Sequence, residues 1–277
     1  MTIMTTAPQQ NLMERTLSDI TVITWRNLVR VVRLPQLLLF STIQPVIFML
    51  LFNYVFGGAI VLALPPAAAG SYVNWLVPGL LAQFALFGGG QTAAGLREDL
   101  SQGVIDRFRS LPMARSAVLA GRTLSDLIRS TFILVLLLGV GFLIGFRPQT
   151  SLAGVLGALA VGLAFGYAWS WVMATVGLLV RTAESIQAAV YLVIFPLAFA
   201  SGVFVPTETM PAWLQVFTEH QPVTVVTSAL RGLILGAGAL PAGQTVSGQV
   251  ALALLWSAAI MAVFAPLAVR LYRRSVS

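Results

Sequence analysis

Long apolar runs alternate along this chain with short charged or turn-rich segments. Residues 34–96, 130–146, 148–180, 185–207 and 232–269 contain no Asp, Glu, Lys or Arg. One membrane-crossing helix needs roughly 20 apolar residues. The pattern therefore predicts spans at about 35–57, 74–95, 124–146, 152–180, 186–205 and 248–269. The first interval holds two of them, divided by turn chemistry at Gly57-Gly58 and Pro65-Pro66. The runs are continuously apolar, whereas strands of a membrane barrel alternate. The expected fold is an all-α membrane protein with six transmembrane helices.

Other segments are neither span nor simple turn. Over 12–33, Met13, Leu17, Ile20, Thr24, Leu28 and Val31 recur at helical spacing, opposite Arg15, Asp19, Arg26, Arg30 and Arg33. That predicts an amphipathic interfacial helix with its arginines toward anionic headgroups. The stretch 97–123 mixes Arg97, Arg107, Arg109, Arg115 and Arg122 with Glu98, Asp99 and Asp106. A topology anchor explains the arginines, but not the acids or the apolar Ile105 and Phe108. Mixed charge around apolar anchors suits docking of a cytoplasmic partner. The region 206–238 carries apolar pieces too short to span, one interrupted by Arg231, so short external re-entrant helices are expected between spans five and six.

Composition narrows the function classes. Of 277 residues, 58% are hydrophobic and 9% charged, against about 25% charged in soluble domains. All sixteen basic residues are Arg. With six spans and a cytoplasmic N-terminus, fourteen arginines lie inside; only Arg147 and Arg231 lie outside. Both termini are then cytoplasmic in a bacterial cell membrane. No apolar stretch suited to a cleavable signal precedes the first span. A nucleic-acid footprint is not expected, because the basic residues sit between apolar runs.

Without Lys there is no Walker A lysine, and without Cys no thiolate chemistry. The single His220 and the absence of HExxH or GxSxG motifs give no catalytic residue and no metal site. No acid falls deep in a predicted span, which argues against an ion-coupled carrier. The neutral polar residues Gln44, Asn53, Asn74, Gln83, Gln91 and Gln187 either line a path or bond between helices. Phe48, Phe52, Asn53, Phe84 and Gln91 form the candidate substrate path, with Trp169, Trp171 and Tyr191 as further aromatics. Spans without charge in their central turns offer no partner to a highly charged cargo, so a hydrophobic or amphipathic one is expected.

The run Phe108-Arg-Ser-Leu-Pro-Met-Ala-Arg-Ser-Ala-Val-Leu-Ala-Gly-Arg-Thr-Leu-Ser-Asp126 resembles the cytoplasmic loop of bacterial type-2 ABC export permeases, closest to the daunorubicin/doxorubicin-resistance branch. Phe195-Pro-Leu-Ala-Phe-Ala-Ser-Gly-Val-Phe-Val-Pro206, Met210-Pro-Ala-Trp213, Gln221-Pro-Val-Thr224 and Ala229-Leu-Arg-Gly232 match further on, although Gln-Pro-Val-Thr replaces the family's Asn-Pro-Leu-Thr-like turn. The resemblance implies a permease that pairs with a second copy or paralogue and with separate ATPase subunits. ATP and Mg would bind those subunits, and no cofactor this chain. It implies a coupling surface of Glu98, Asp99, Gly103, Ile105, Asp106, Arg107, Phe108 and Arg109. Drug or lipid export follows; a non-transporting membrane scaffold and a glycan permease are the alternatives.

Overall fold

The computed structural model describes residues 12–33, 35–64, 71–101, 115–180 and 182–275. Among these the chain is helical almost throughout, without strands. Helix α1 is Leu12–Arg33. Helix α2, Pro35–Leu51, continues through a π-helical turn, Phe52–Phe56, into α3, Gly57–Ile60. Then come α4 (Tyr72–Ser101), α5 (Arg115–Leu143), α6 (Leu152–Leu179) and α7 (Ala183–Phe199). The short α8 (Ala212–His220) and α9 (Pro222–Leu235) precede α10 (Val246–Ser275). The turn expected at Gly57-Gly58 is helical instead, and helical turns persist to Ala63.

Among the described residues, five stretches are long and apolar enough to cross a bilayer: Ser41–Ile60, Tyr72–Asp99, Val118–Leu143, Leu152–Leu179 and Val246–Arg274. The stretch expected as span five differs. Helix α7 has 17 residues, roughly 25 Å at 1.5 Å per residue, against a hydrocarbon core of roughly 30 Å. It stops at Phe199 because Gln221 Nε2 donates to the Leu197 and Ala200 carbonyls, both at 3.0 Å. Those bonds satisfy acceptors that a longer helix would have used.

Helix α4 is the central rod, and α2 and α10 are peripheral with mostly exposed apolar faces. Helices α4 and α6 approach through small residues. A Cβ on Gly166 would meet the Ala85 Cβ at 3.3 Å, and one on Gly177 would meet the Ala93 carbonyl oxygen at 2.8 Å. Removing side chains there lets the backbones pack closely, the usual solution where lipid supplies no hydrophobic drive between helices. The main core fills the bundle around Leu76, Leu80, Leu86, Phe165 and Ile194. A second cluster, with Ile23, Leu96, Leu119 and Tyr272, joins α1 to the C-terminal ends of α4 and α10 and the N-terminal end of α5.

Two arginines of α1, Arg26 and Arg30, have ion-pair partners on α4, while Arg33 is exposed. The buried face of α1 is Ile23, Thr24 and Asn27, while Leu17, Val22 and Trp25 are exposed. Gly121 creates the seat, since a Cβ there would lie 2.8 Å from Ile23 Cβ, and Thr24 Oγ1 donates to the Gly121 carbonyl at 3.1 Å. Arg26 and Arg30 turn to acids of α4. Opposite charges at contact distance attract more strongly than charges separated by a screening length of salt solution.

Candidate functional site

The C-terminal end of α4 and the N-terminal end of α5 meet α1 in a lattice of alternating charges. Asp99, with its carboxylate almost wholly buried, takes Arg26 at 3.1 Å, Arg30 at 3.7 Å and Arg122 at 3.7 Å. Glu98 pairs with Arg30. One turn deeper, Asp126 lies 3.7 Å from Arg122 and 3.6 Å from Arg129, and accepts from the Thr92 hydroxyl at 2.5 Å. The arginines also donate to backbone: Arg122 Nη2 to Gln91 O at 3.1 Å and Arg129 Nη2 to Gly88 O at 3.2 Å. Buried charges persist when paired and hydrogen-bonded on several sides. Gly95 is needed here, because a Cβ on it would coincide with the Arg122 guanidinium.

Of the expected coupling residues, Glu98 and Asp99 thus belong to this lattice. Gly103, Ile105, Asp106, Arg107, Phe108 and Arg109 lie outside the described residues. Helix α4 runs through Ser101 and α5 begins at Arg115, so residues 97–101 and 115–123 of the expected loop are helix ends, and 102–114 lie outside the described residues.

Between α2, α4 and α7 runs a connected line of aromatics. Tyr191, Phe195 and Phe199 follow one face of α7, with ring centroids 5.4 and 4.9 Å apart. Phe199 reaches Phe204 at 5.7 Å, and Phe204 stacks on Phe52 at 4.2 Å and 19°. Phe52 touches Phe48 at 5.0 Å, and Phe48 meets Phe84 edge-on at 6.4 Å. The structure therefore brings Phe48, Phe52 and Phe84 together, with Tyr191 at the far end of the line. Phe195, Phe199 and Phe204 lie beyond the path expected from the chain, and of these the repeat at 191, 195 and 199 is legible as i, i+4 spacing.

Asn53 is half-buried in the π turn. Gln91 is exposed and lines the cavity beside the charge lattice. Trp169 and Trp171 do not join this wall. They are buried inside the bundle, Trp169 beside Gly89 and Phe165, and Trp171 beside Tyr167. Helix α6 is packed by α4 and α10, so its rings serve the core.

The opposite end is organised by Arg231 on α9, only 3% exposed. Its Nη1 donates to Gly202 O at 2.6 Å, Nη2 to Val203 O at 2.7 Å, and Nε and Nη2 to Trp75 O at 3.3 Å. Tyr72 Oη donates to Phe204 O at 3.2 Å. Thr150 Oγ1 and the Gln149 N–H take the Leu233 and Ile234 carbonyls at 2.6 and 2.9 Å. These bonds fix the end of α9 and hold the 201–206 turn, including Phe204, against α4.

Five helical stretches long and apolar enough to cross a bilayer, among the described residues, mark a multi-pass membrane protein. The chain matches the ABC-2 type transporter model over residues 18–235 and belongs to that family. It is 35% identical over 249 residues to a daunorubicin resistance ABC transporter permease protein of Streptomyces coeruleorubidus, covering 90% of this chain and 84% of the relative. It is 29% identical over 236 residues to a probable doxorubicin resistance ABC transporter permease protein of Mycobacterium tuberculosis, covering 85% and 81%. A second Mycobacterium tuberculosis permease, named for doxorubicin resistance, is 29% identical over 164 residues, with 59% and 56% covered. The chain is an ABC transporter permease, a membrane component of a kind that works with an ABC ATPase.

Proposed function

We propose that this permease moves hydrophobic or amphipathic compounds, drug-like or lipid-like, outward across a bacterial cell membrane. The observation that carries the reading is the aromatic line from Tyr191 to Phe48 and Phe84, on the open side of α2 and α7. Ring faces and edges solvate flat apolar bodies without fixed polar contacts, and Gln91 adds an amide near the cytoplasmic end. The names of the relatives, permeases of daunorubicin and doxorubicin resistance, support the same class.

In this reading ATP is hydrolysed by a separate subunit, and a second permease copy or paralogue faces α2 and α7, whose exposed side chains include Ile43, Ile47, Leu192 and Phe195. Both termini are cytoplasmic, following the arginine bias. The segment 102–114, with Ile105 and Phe108 as apolar anchors, docks the ATPase, and Glu98 and Asp99 tie that surface to α1. Helices α8 and α9 form the external re-entrant cap, and α7 with the 201–206 turn completes the sixth crossing.

The test is ATPase turnover in lipid. The isolated chain should hydrolyse no ATP, and its addition should change the turnover of the partner ATPase. Hydrolysis by the chain alone, or no effect on the partner, contradicts the reading.

A further inference from the structure

Two cavities meet at the charged end of the bundle. One, of about 490 Å³, is ringed by Asn27, Gln44, Glu98, Arg122, Asp126 and Arg129 among others. The other, of about 140 Å³, is walled by Phe84, Phe87, Ile133, Val190 and Tyr191. Ser41, Gln44, Gln91, Ala94 and Arg129 line both. One elongated molecule therefore reaches a charged chamber and an apolar one.

The polar chamber favours one sign of charge. Its lining carries Arg30, Arg122 and Arg129 against Glu98 and Asp126. Both acids are engaged, Glu98 by Arg30, and Asp126 by two arginines and the Thr92 hydroxyl. At Asp126 a cation would have to displace a buried arginine from its carboxylate, which is costly, whereas the Glu98–Arg30 pair is partly exposed. An anion meets guanidinium groups with capacity to spare. The Arg122 and Arg129 contacts to Asp126, at 3.7 and 3.6 Å, are longer than a direct hydrogen bond. Arg122 Nε, Arg129 Nε and Asn27 Nδ2 are buried without an acceptor among the described residues. All three are donors without an acceptor oxygen, and they reach an anionic head in the chamber as these side chains turn toward it.

We propose that the joined cavities hold an amphiphile with one anionic oxygen head, a phosphate or carboxylate. The head sits at Arg122 and Arg129, and the apolar part lies against Phe84, Phe87 and Tyr191. Charge-assisted pairing with arginine suits such a head, and the depth, at the cytoplasmic ends of α4 and α5, matches a headgroup layer. The placement toward the inner leaflet rests on the exporter reading; the ligand chemistry does not.

The experiment uses the full chain with its ATPase in nanodiscs of phosphatidylcholine and phosphatidylglycerol. Lipid retained after a detergent wash is counted by native mass spectrometry, and thermal stabilisation is measured with dodecyl phosphate and with dodecyltrimethylammonium. The expected result is selective retention of phosphatidylglycerol or selective stabilisation by dodecyl phosphate. Selectivity in the first arm names a lipid headgroup, and in the second alone a free anionic amphiphile. Arg129→Gln should weaken the selective binding about tenfold or more. Ala94→Trp, which fills the junction of the two cavities and leaves the ion pairs in place, should weaken it with the melting temperature held. Equal treatment of both lipids and both amphiphiles, or a preference for the ammonium, overturns the site. So does selectivity unchanged in both variants. Failed dye export with lipid selectivity intact removes the exporter reading and leaves the site standing.

Discussion

The Arg231 guanidinium lies 3.4 Å above the centroid of the Trp75 ring, and the same side chain donates to the Trp75, Gly202 and Val203 carbonyls. One residue of α9 thus holds the start of α4 and the turn after α7. Arginine is suited to this by its planar fork of donors and its stacking on aromatic faces.

Arg231→Met should lower stability by about 3 kcal/mol or more, since it removes the donors to the buried Gly202 and Val203 carbonyls. Arg231→Lys keeps the charge but not the fork, and should melt between Met and wild type. Melting of the purified protein measures both. Wild-type melting in both variants would show that the clamp carries no stability.

Gly95→Ala should destabilise by about 1–3 kcal/mol, as overpacking does, because the new Cβ occupies the Arg122 guanidinium site. In an Arg122→Ala background the same substitution should cost far less. Equal costs in the two backgrounds would mean that Arg122 does not lie across Gly95.

The contrast between these two sites shows what the amino-acid pattern could reveal. Arg122, Asp126 and Arg129 stand at i, i+4 and i+7 on one helix, so their mutual pairing is legible in the chain. Arg26 reaching Asp99, 73 positions away, depends on how α1 is seated over Gly121, which periodicity does not encode. Arg231 reads as an interruption of an apolar run, because its partners are backbone carbonyls and these leave no mark in sequence. Long spans are legible from apolar run length alone. The early end of α7 is not, since residues 200–206 stay uncharged while leaving the helix.

Phe52 and Phe204 stack across 152 positions of sequence. A double-mutant cycle on their alanine variants should show about 0.5–1.5 kcal/mol of coupling in stability. Each single variant should reduce export of an amphipathic dye at unchanged membrane abundance. Normal export in the double variant would remove these rings from the path.

Phe108→Ala should weaken co-purification with the ATPase, with a loss of about 2 kcal/mol if the ring is a central anchor, and should leave membrane abundance unchanged. Normal association in both Phe108→Ala and Arg107→Ala would reduce the segment to a topology anchor.

Export itself is the most direct measurement. Inverted vesicles containing the permease and its ATPase, loaded externally with an amphipathic dye, should accumulate dye on addition of ATP. Accumulation should stop when the permease is omitted or Phe52 and Phe204 are both replaced by alanine. ATP-driven uptake of a hydrophilic glycan, with amphipathic dyes and lipids left untouched, would contradict the account.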